Sequence, residues 1–231
     1  EPYLAANNIE KGAMTKNVIL NPSYFAPYAY RIFAQVDTEH DWLKVIDTSY
    51  AVIEKSMSSP LDASKSVGLP PNLVLINRET GVLSPANDSN YGFDAMRIPW
   101  RLAVDALWFN EVRARKTLEK FTFLEKEWDA NQTFDIVYTH DGLTVLSGEA
   151  PAFYGGAIGY FKIVHPDELD QVYKDKLEIL YSPDYIGWKQ PMSYYDDNWA
   201  WFGMALASDK IPNLSKSLTL TSSTQLIKQN Q

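Results

Sequence analysis

Tyr91-Gly92-Phe93-Asp94-Ala95-Met96-Arg97-Ile98-Pro99-Trp100-Arg101 is the stretch on which the fold turns. Pro99 fits the first turn of a helix, where its missing N–H is no loss. Behind it, Leu102, Ala103, Ala106, Leu107 and Phe109 build an apolar face, so a helix opens here. Ahead of it stands one carboxylate, Asp94, at the end of a long irregular stretch. A helix N-terminus favours negative charge, which suits a carboxylate that acts as a base. Arg97, three residues on, is placed to pair with Asp94 or with a hydroxyl of a ligand. Tyr91, Phe93 and Trp100 add broad, rigid aromatic faces of the kind on which a sugar ring stacks. The same residues equally fit a helix-capping aspartate, its arginine partner and three core aromatics.

Outward from this block the pattern is helical. A charged, strongly helix-forming run continues to about Trp128. Upstream, residues 58–90 carry Pro60, Gly68, Pro70, Pro71, Gly81 and Pro85, which predicts a long loop with a short extended piece at 73–76. Before that, Trp42, Val45, Ile46, Ser49, Tyr50 and Ile53 recur at helical spacing and predict a helix over 41–57. Residues 1–21 are weakly patterned. Downstream, the Asp141-Gly142 turn predicts a β-hairpin over 134–147. Helices are predicted over 151–164, 166–181 and 194–208, and a flexible tail over 212–231. The sum is a single mainly α domain over 1–231 with one small β-hairpin.

Composition narrows the function classes. The 231 residues carry a formal net charge of -8, which repels phosphate backbones and argues against a nucleic-acid partner. No apolar run approaches the ~20 residues of a membrane-spanning helix. There are no cysteines, which removes disulfides and thiol catalysis. The 7 Trp and 14 Tyr serve a core or a sugar-stacking surface. No phosphate-binding loop, nucleophile elbow or spaced histidine pair occurs, so no cofactor and no metal are expected. Glu39-His40-Asp41 fits a solvated helix start better than a ligand set.

The eleven-residue block resembles the base-bearing motif of glycoside hydrolase family 8, an aspartate followed by Ala and then Arg-x-Pro-Trp-Arg. Asn21-Pro22-Ser23-Tyr24 is similar to the Asn-Pro-Ser-Tyr segment of that family, and Tyr194-Tyr195-Asp196-Asp197 resembles its Tyr-Tyr-Asp helix. The three blocks follow the family's order from Asn21 to Ser208. The resemblance implies an (α/α)6 barrel, of which this chain is the C-terminal part. It implies inverting, endo-acting cleavage of a β-linked polysaccharide, with Asp94 as the general base that activates water. Tyr24, Tyr91, Phe93, Arg97, Trp100, Tyr195 and Asp196 are then expected to line the cleft, with Asp196 equally suited to capping its helix.

Two departures accompany it. Phe93 stands where many members carry tyrosine, and Tyr91 is the candidate to replace that hydroxyl. The family's general-acid glutamate lies in an N-terminal motif that is not found here, and Glu10, Glu39, Glu54, Glu79, Glu149 and Glu168 match no such motif. The chain is therefore expected to lack its first portion and to partner an N-terminal fragment of the same protein. A secreted bacterial protein, extracellular or at the cell surface and acting on polysaccharide or biofilm exopolysaccharide, is the expected setting. The competing expectation is a non-catalytic glycan-binding or scaffold domain.

Overall fold

Four helices run side by side in one direction, and everything else returns the chain between them. A computed structural model describes residues 16–184 and 186–216. The four are α1 (Pro27–Val36), α3 (Ile98–Phe109), α6 (Pro151–Val164) and α8 (Tyr194–Ala207). Between them lie α2 (Trp42–Ser58), then α4 (Val112–Leu118) with α5 (Thr122–Asn131), then α7 (Pro166–Lys176). Cross-contacts fix the shared direction. Arg101 donates to the Tyr28 hydroxyl at 3.3 Å and Asp105 receives Arg31 at 2.8 Å, so α1 and α3 advance together. At one end of α6 the Ala152 N–H donates to Asp196 at 3.2 Å, and at the other Lys162 donates to the Ala207 carbonyl at 3.1 Å. Lys176, at the far end of α7, reaches back to Glu149 just before α6, so α7 runs the opposite way.

The centre is α6, buried without interruption from Ala152 to Phe161. A helix apolar all round belongs in a core rather than at a surface. Its glycines let neighbouring backbones touch it. A Cβ on Gly155 would lie 2.0 Å from the Trp199 carbonyl oxygen, and one on Gly156 would lie 2.0 Å from that of Met96. Gly159 would meet the Pro99 carbonyl oxygen at 2.3 Å. So α8 and the start of α3 both pack backbone against α6.

A charged network ties α1 to α4 on the other side. Asp105, fully buried on α3, accepts from Arg31 and from the Tyr50 hydroxyl at 2.6 Å. Arg31 also pairs with Glu111, which Arg113 engages in turn while bonding Asp47 at 2.7 Å. Burial opposes the charge on Glu111, but the Arg113 hydrogen bonds and the two guanidinium charges outweigh it and bring its pKa to about 2.

Several expected boundaries hold. Asp41 caps α2, accepting from the Lys44 N–H at 3.2 Å, and α6 occupies the predicted span. The single long helix expected from Pro99 to Trp128 is three. Asn110 stops α3 in the left-handed region at φ 53°, which Asn tolerates, and Glu111 caps α4 by accepting from the Arg113 N–H. The helix expected over 166–181 ends at Lys176.

The one expected hairpin is also an undercount. Among the described residues there are three small antiparallel sheets: β1 (Asn17–Leu20) with β2 (Val74–Asn77) and β3 (Leu83–Pro85), β4 (Val137–Tyr138) with β5 (Thr144–Leu146), and β6 (Tyr181–Ser182) with β7 (Gly187–Trp188). Strands of two to four residues are too short to show an alternating pattern. Of the tail predicted over 212–231, residues 217–231 lie outside the described residues, while Ser215 donates to Asn213 Oδ1 in the part that is described.

Two outcomes test this packing. Gly156→Ala forces Met96 and α6 apart, and in urea denaturation it is expected to cost about 3 kcal/mol, at the upper end of overpacking effects. A loss below about 1 kcal/mol would show that the two backbones are not in contact. Because the Glu111 pKa is depressed, its contribution is present above its ordinary value of 4.5 and is lost as pH falls toward 2. Glu111→Gln is expected to lower stability at neutral pH by on the order of 3 kcal/mol, with the gap to wild type closing across that acid range.

Candidate active site

The shared direction of the four helices gathers their N-termini at one end of the molecule. The three sequence blocks meet there. Asn21 caps a short 3-10 turn (Pro22–Tyr24) by accepting from the Ser23 N–H at 3.0 Å and the Ser23 hydroxyl at 2.6 Å. That leaves the Ser23 oxygen turned to Arg97, which donates to it at 2.6 Å. The Tyr24 ring lies under the same guanidinium, 5.2 Å from its carbon. Arg97 also donates to the Asp94 carbonyl at 3.0 Å and pairs with Asp94 Oδ1.

The pair is asymmetric. The Arg97 side chain is 12% exposed and that of Asp94 38%. Asp94 opens a second 3-10 turn (Ala95–Arg97) that runs directly into α3, yet its side chain caps nothing. Among the described residues its second oxygen, Oδ2, has no hydrogen-bond partner. A carboxylate with one oxygen pinned and the other open to solvent can hold a water and take its proton.

Tyr195, at the start of α8, donates its hydroxyl to the Phe93 carbonyl and packs edge-on against the Phe93 ring at 5.7 Å. Burial, and next the nearby charges, leave the Tyr195 pKa raised, so the hydroxyl is a donor and not an anion. Phe93 and Tyr24 are 44% and 47% exposed. The structure thus brings together Asp94, Arg97, Tyr24, Phe93 and Tyr195.

Three other expected positions point elsewhere. Tyr91 is fully buried, paired by its backbone with Tyr138 at 2.8 and 2.9 Å, and its ring packs edge-on against Phe153. Among the described residues its hydroxyl has no partner, and burial raises its pKa, so it does not replace the hydroxyl absent at Phe93. Trp100 is buried between Tyr28, Trp199 and Phe202, with its Nε1 donating to the Phe202 carbonyl at 2.9 Å. Asp196 binds the α6 N-terminus through Oδ1 and the Ser193 hydroxyl through Oδ2, at 3.2 and 2.7 Å. Asp196 thus serves the N-terminus of α6, while Ser193 caps α8 by accepting from the Asp196 N–H at 3.1 Å.

Sequence reasoning passed over Asn72, and it marked Asn21 and Ser23 only as part of a motif, without a role at the site. Asn72 lies almost buried beneath the Asp94 segment and accepts from its backbone at three points, 2.8 to 3.2 Å. A lone Asn after Pro70-Pro71 gives no local sign of a contact 20 residues away. Among the described residues, no three His, Cys, Asp or Glu side chains group as a metal site.

Parallel inner helices, returned by outer ones, with an arginine-held carboxylate among aromatics at their N-terminal rim, form part of an (α/α)6 barrel. The family model for glycosyl hydrolases family 8 matches residues 8–179, and the chain belongs to that family. It is 29% identical over 137 residues to endoglucanase A of Acetivibrio thermocellus, covering 59% of this chain and 27% of that protein. It is likewise 29% identical to a β-glucanase of Niallia circulans over 141 residues, 58% of this chain and 34% of the relative. Among solved structures it resembles the β-1,3-1,4-glucanase of Paenibacillus sp. X4, with a TM-score of 0.67 at 23% identity, covering 82% of this chain and 50% of the other. The chain therefore spans about a third or less of these curated relatives and half of the structural one.

Trp100 separates packing from sugar contact. Trp100→Ala is expected to cost about 3–5 kcal/mol in denaturant unfolding, the range for a buried aromatic. An unchanged midpoint with weakened oligosaccharide binding would return it to the cleft.

Proposed function

We propose that this chain carries the base-bearing part of an endo-acting, inverting glycosidase that cleaves a β-linked, cellulose-like glucan or exopolysaccharide. The observation that carries the reading is Asp94, with one oxygen on Arg97 and the other open to solvent. In the proposed reaction, Asp94 removes a proton from a water as that water attacks the anomeric carbon. An acid on the opposite face protonates the departing glycosidic oxygen, and the configuration inverts. Such an acid stands about 6.5–9.5 Å from the base, leaving room for the water. Tyr24, Phe93 and Tyr195 offer the surface beside the base on which sugar rings stack.

The acid is a glutamate of an N-terminal portion of the same protein. Three of the candidate glutamates in this chain are engaged elsewhere. Glu54 bonds Thr117 at 2.9 Å, Glu79 pairs with Lys16 at 3.2 Å, and Glu149 pairs with Lys176 at 2.6 Å. Glu39 lies beside Asp37 at the approach to α2, Glu168 lies on α7, and Glu10 lies outside the described residues. Relatives named endoglucanase and β-glucanase support a β-glucan as substrate. A secreted or cell-surface location follows from a polymer too large to enter a cell.

The test is Asp94→Asn in the protein together with its N-terminal portion. Asparagine keeps an oxygen for Arg97, so the fold and oligosaccharide affinity are expected to stay while release of reducing ends falls by about 1,000-fold or more, as when a reaction loses a residue that acts in the transition state. Full turnover by the variant would sink the assignment. Oligosaccharide binding with no cleavage by any preparation would make the domain a glycan-binding module.

A further inference from the structure

The first N–H groups of a helical turn lack partners within it, and a capping side chain ordinarily supplies them. Asp94 stands where such a cap would, but it does no capping. The donors are taken by other groups. Asn72 Oδ1 accepts from the N–H groups of Gly92 at 3.2 Å, Asp94 at 3.2 Å and Ala95 at 2.8 Å. The next two are met within the chain, Met96 by the Gly92 carbonyl at 3.0 Å and Arg97 by the Asp94 carbonyl at 3.2 Å. None of the N–H groups from Asp94 to Arg97 is left for the Asp94 carboxylate to satisfy.

We propose that Asn72 is a positioning residue for the base: it caps the Asp94 turn in place of Asp94, and so frees that carboxylate to face solvent. The inference rests on the reading of Asp94 as the base. The amide is held in one orientation, because its Nδ2 donates to Asp88 Oδ2 at 3.0 Å, which leaves Oδ1 facing the loop. Its backbone is anchored as well, with the Asn72 N–H on the Asn90 carbonyl at 2.7 Å. Gly92 allows the approach, since a Cβ there would come within 3.1 Å of Asn72 Nδ2. With Oδ1 removed, the N–H of Ala95, a fully buried residue, has no acceptor. The neighbouring Asp94 carboxylate is then the group able to turn inward and supply one.

The experiment compares Asn72→Leu with the exchanged pair Asn72→Asp/Asp88→Asn, in the natural-length protein. The pair keeps an oxygen facing the loop and an amide donor beside it. Asn72→Leu is expected to lower kcat by about 100-fold, the cost of displacing a catalytic group by about 1 Å, with KM changed less than about threefold. Amide hydrogen exchange at Asp94 and Ala95 should accelerate in that variant and stay slow in the exchanged pair, whose kcat should remain within about tenfold of wild type. A folded Asn72→Leu with wild-type kcat overturns the proposal. If Asn72→Leu does not fold, the exchanged pair decides alone, and a kcat as low as about a hundredth of wild type overturns it. Exchange reads the clamp without turnover. Slow wild-type exchange in a protein indifferent to Asp94→Asn would place the failure in the catalytic reading, whereas fast wild-type exchange at both amides would place it in the clamp.

Discussion

The contact on which the rest depends is backbone against backbone, where the turn before α3 meets α6 at Gly156 and Gly159. Side chains ordinarily keep helix axes 8–10 Å apart. Here Met96 and Pro99 press their carbonyls to where Cβ atoms would stand, and Trp199 does the same at Gly155 from the other side. Three consequences follow from one stripe of small residues. The N-terminus of α3 is fixed in depth, and Asp94 two residues before Met96 is fixed with it. The start of α8 comes close enough for Tyr195 to reach the Phe93 carbonyl. Asp196 comes within reach of the α6 N-terminus. The site is therefore a product of how closely three helices approach, and only secondarily of the loop that carries the carboxylate.

The far side of α3 is secured by different physics. Asp105 has no exposure and would be costly as an isolated charge, so its neighbours supply Arg31 and Tyr50. Such a network adds little net stability compared with an apolar core, but it joins α1, α2 and α3 in the register seen here. That register matters at the rim. Ser23 and Tyr24 precede α1 by a few residues, and both must arrive at Arg97 for the Asp94 pair to hold its asymmetry.

Local signals were legible and tertiary ones were not. Asp41 before an apolar-periodic run announces α2, and Pro151 before small apolar residues announces α6. The block at Asp94 reads as a loop entering a helix, which it is. Asn110 looks like any polar residue in a charged run, and only its left-handed backbone shows that the helix stops there. Trp100 and Tyr91 beside a carboxylate look the same whether they face a cleft or a core, because burial belongs to the whole fold. Arg31 and Asp105 lie 74 positions apart, and Asn72 lies 22 from Asp94, so no spacing rule links them.

Three aspartates show what separates a structural carboxylate from an available one. Asp105 has both oxygens occupied by Arg31 and Tyr50 inside the core. Asp196 has both occupied at a helix junction, one by a backbone N–H and one by a hydroxyl. All three stand on or beside a helix, and Asp94 and Asp196 both stand near a helix N-terminus, so neither position nor the helix dipole tells them apart. What differs is whether each oxygen has a partner. Asp105 and Asp196 have a donor on both oxygens, while Asp94 keeps one oxygen without a partner because Asn72 and the local carbonyls have already met the demands of its turn. Arg97, more deeply buried than its partner, then fixes which of the two oxygens stays open.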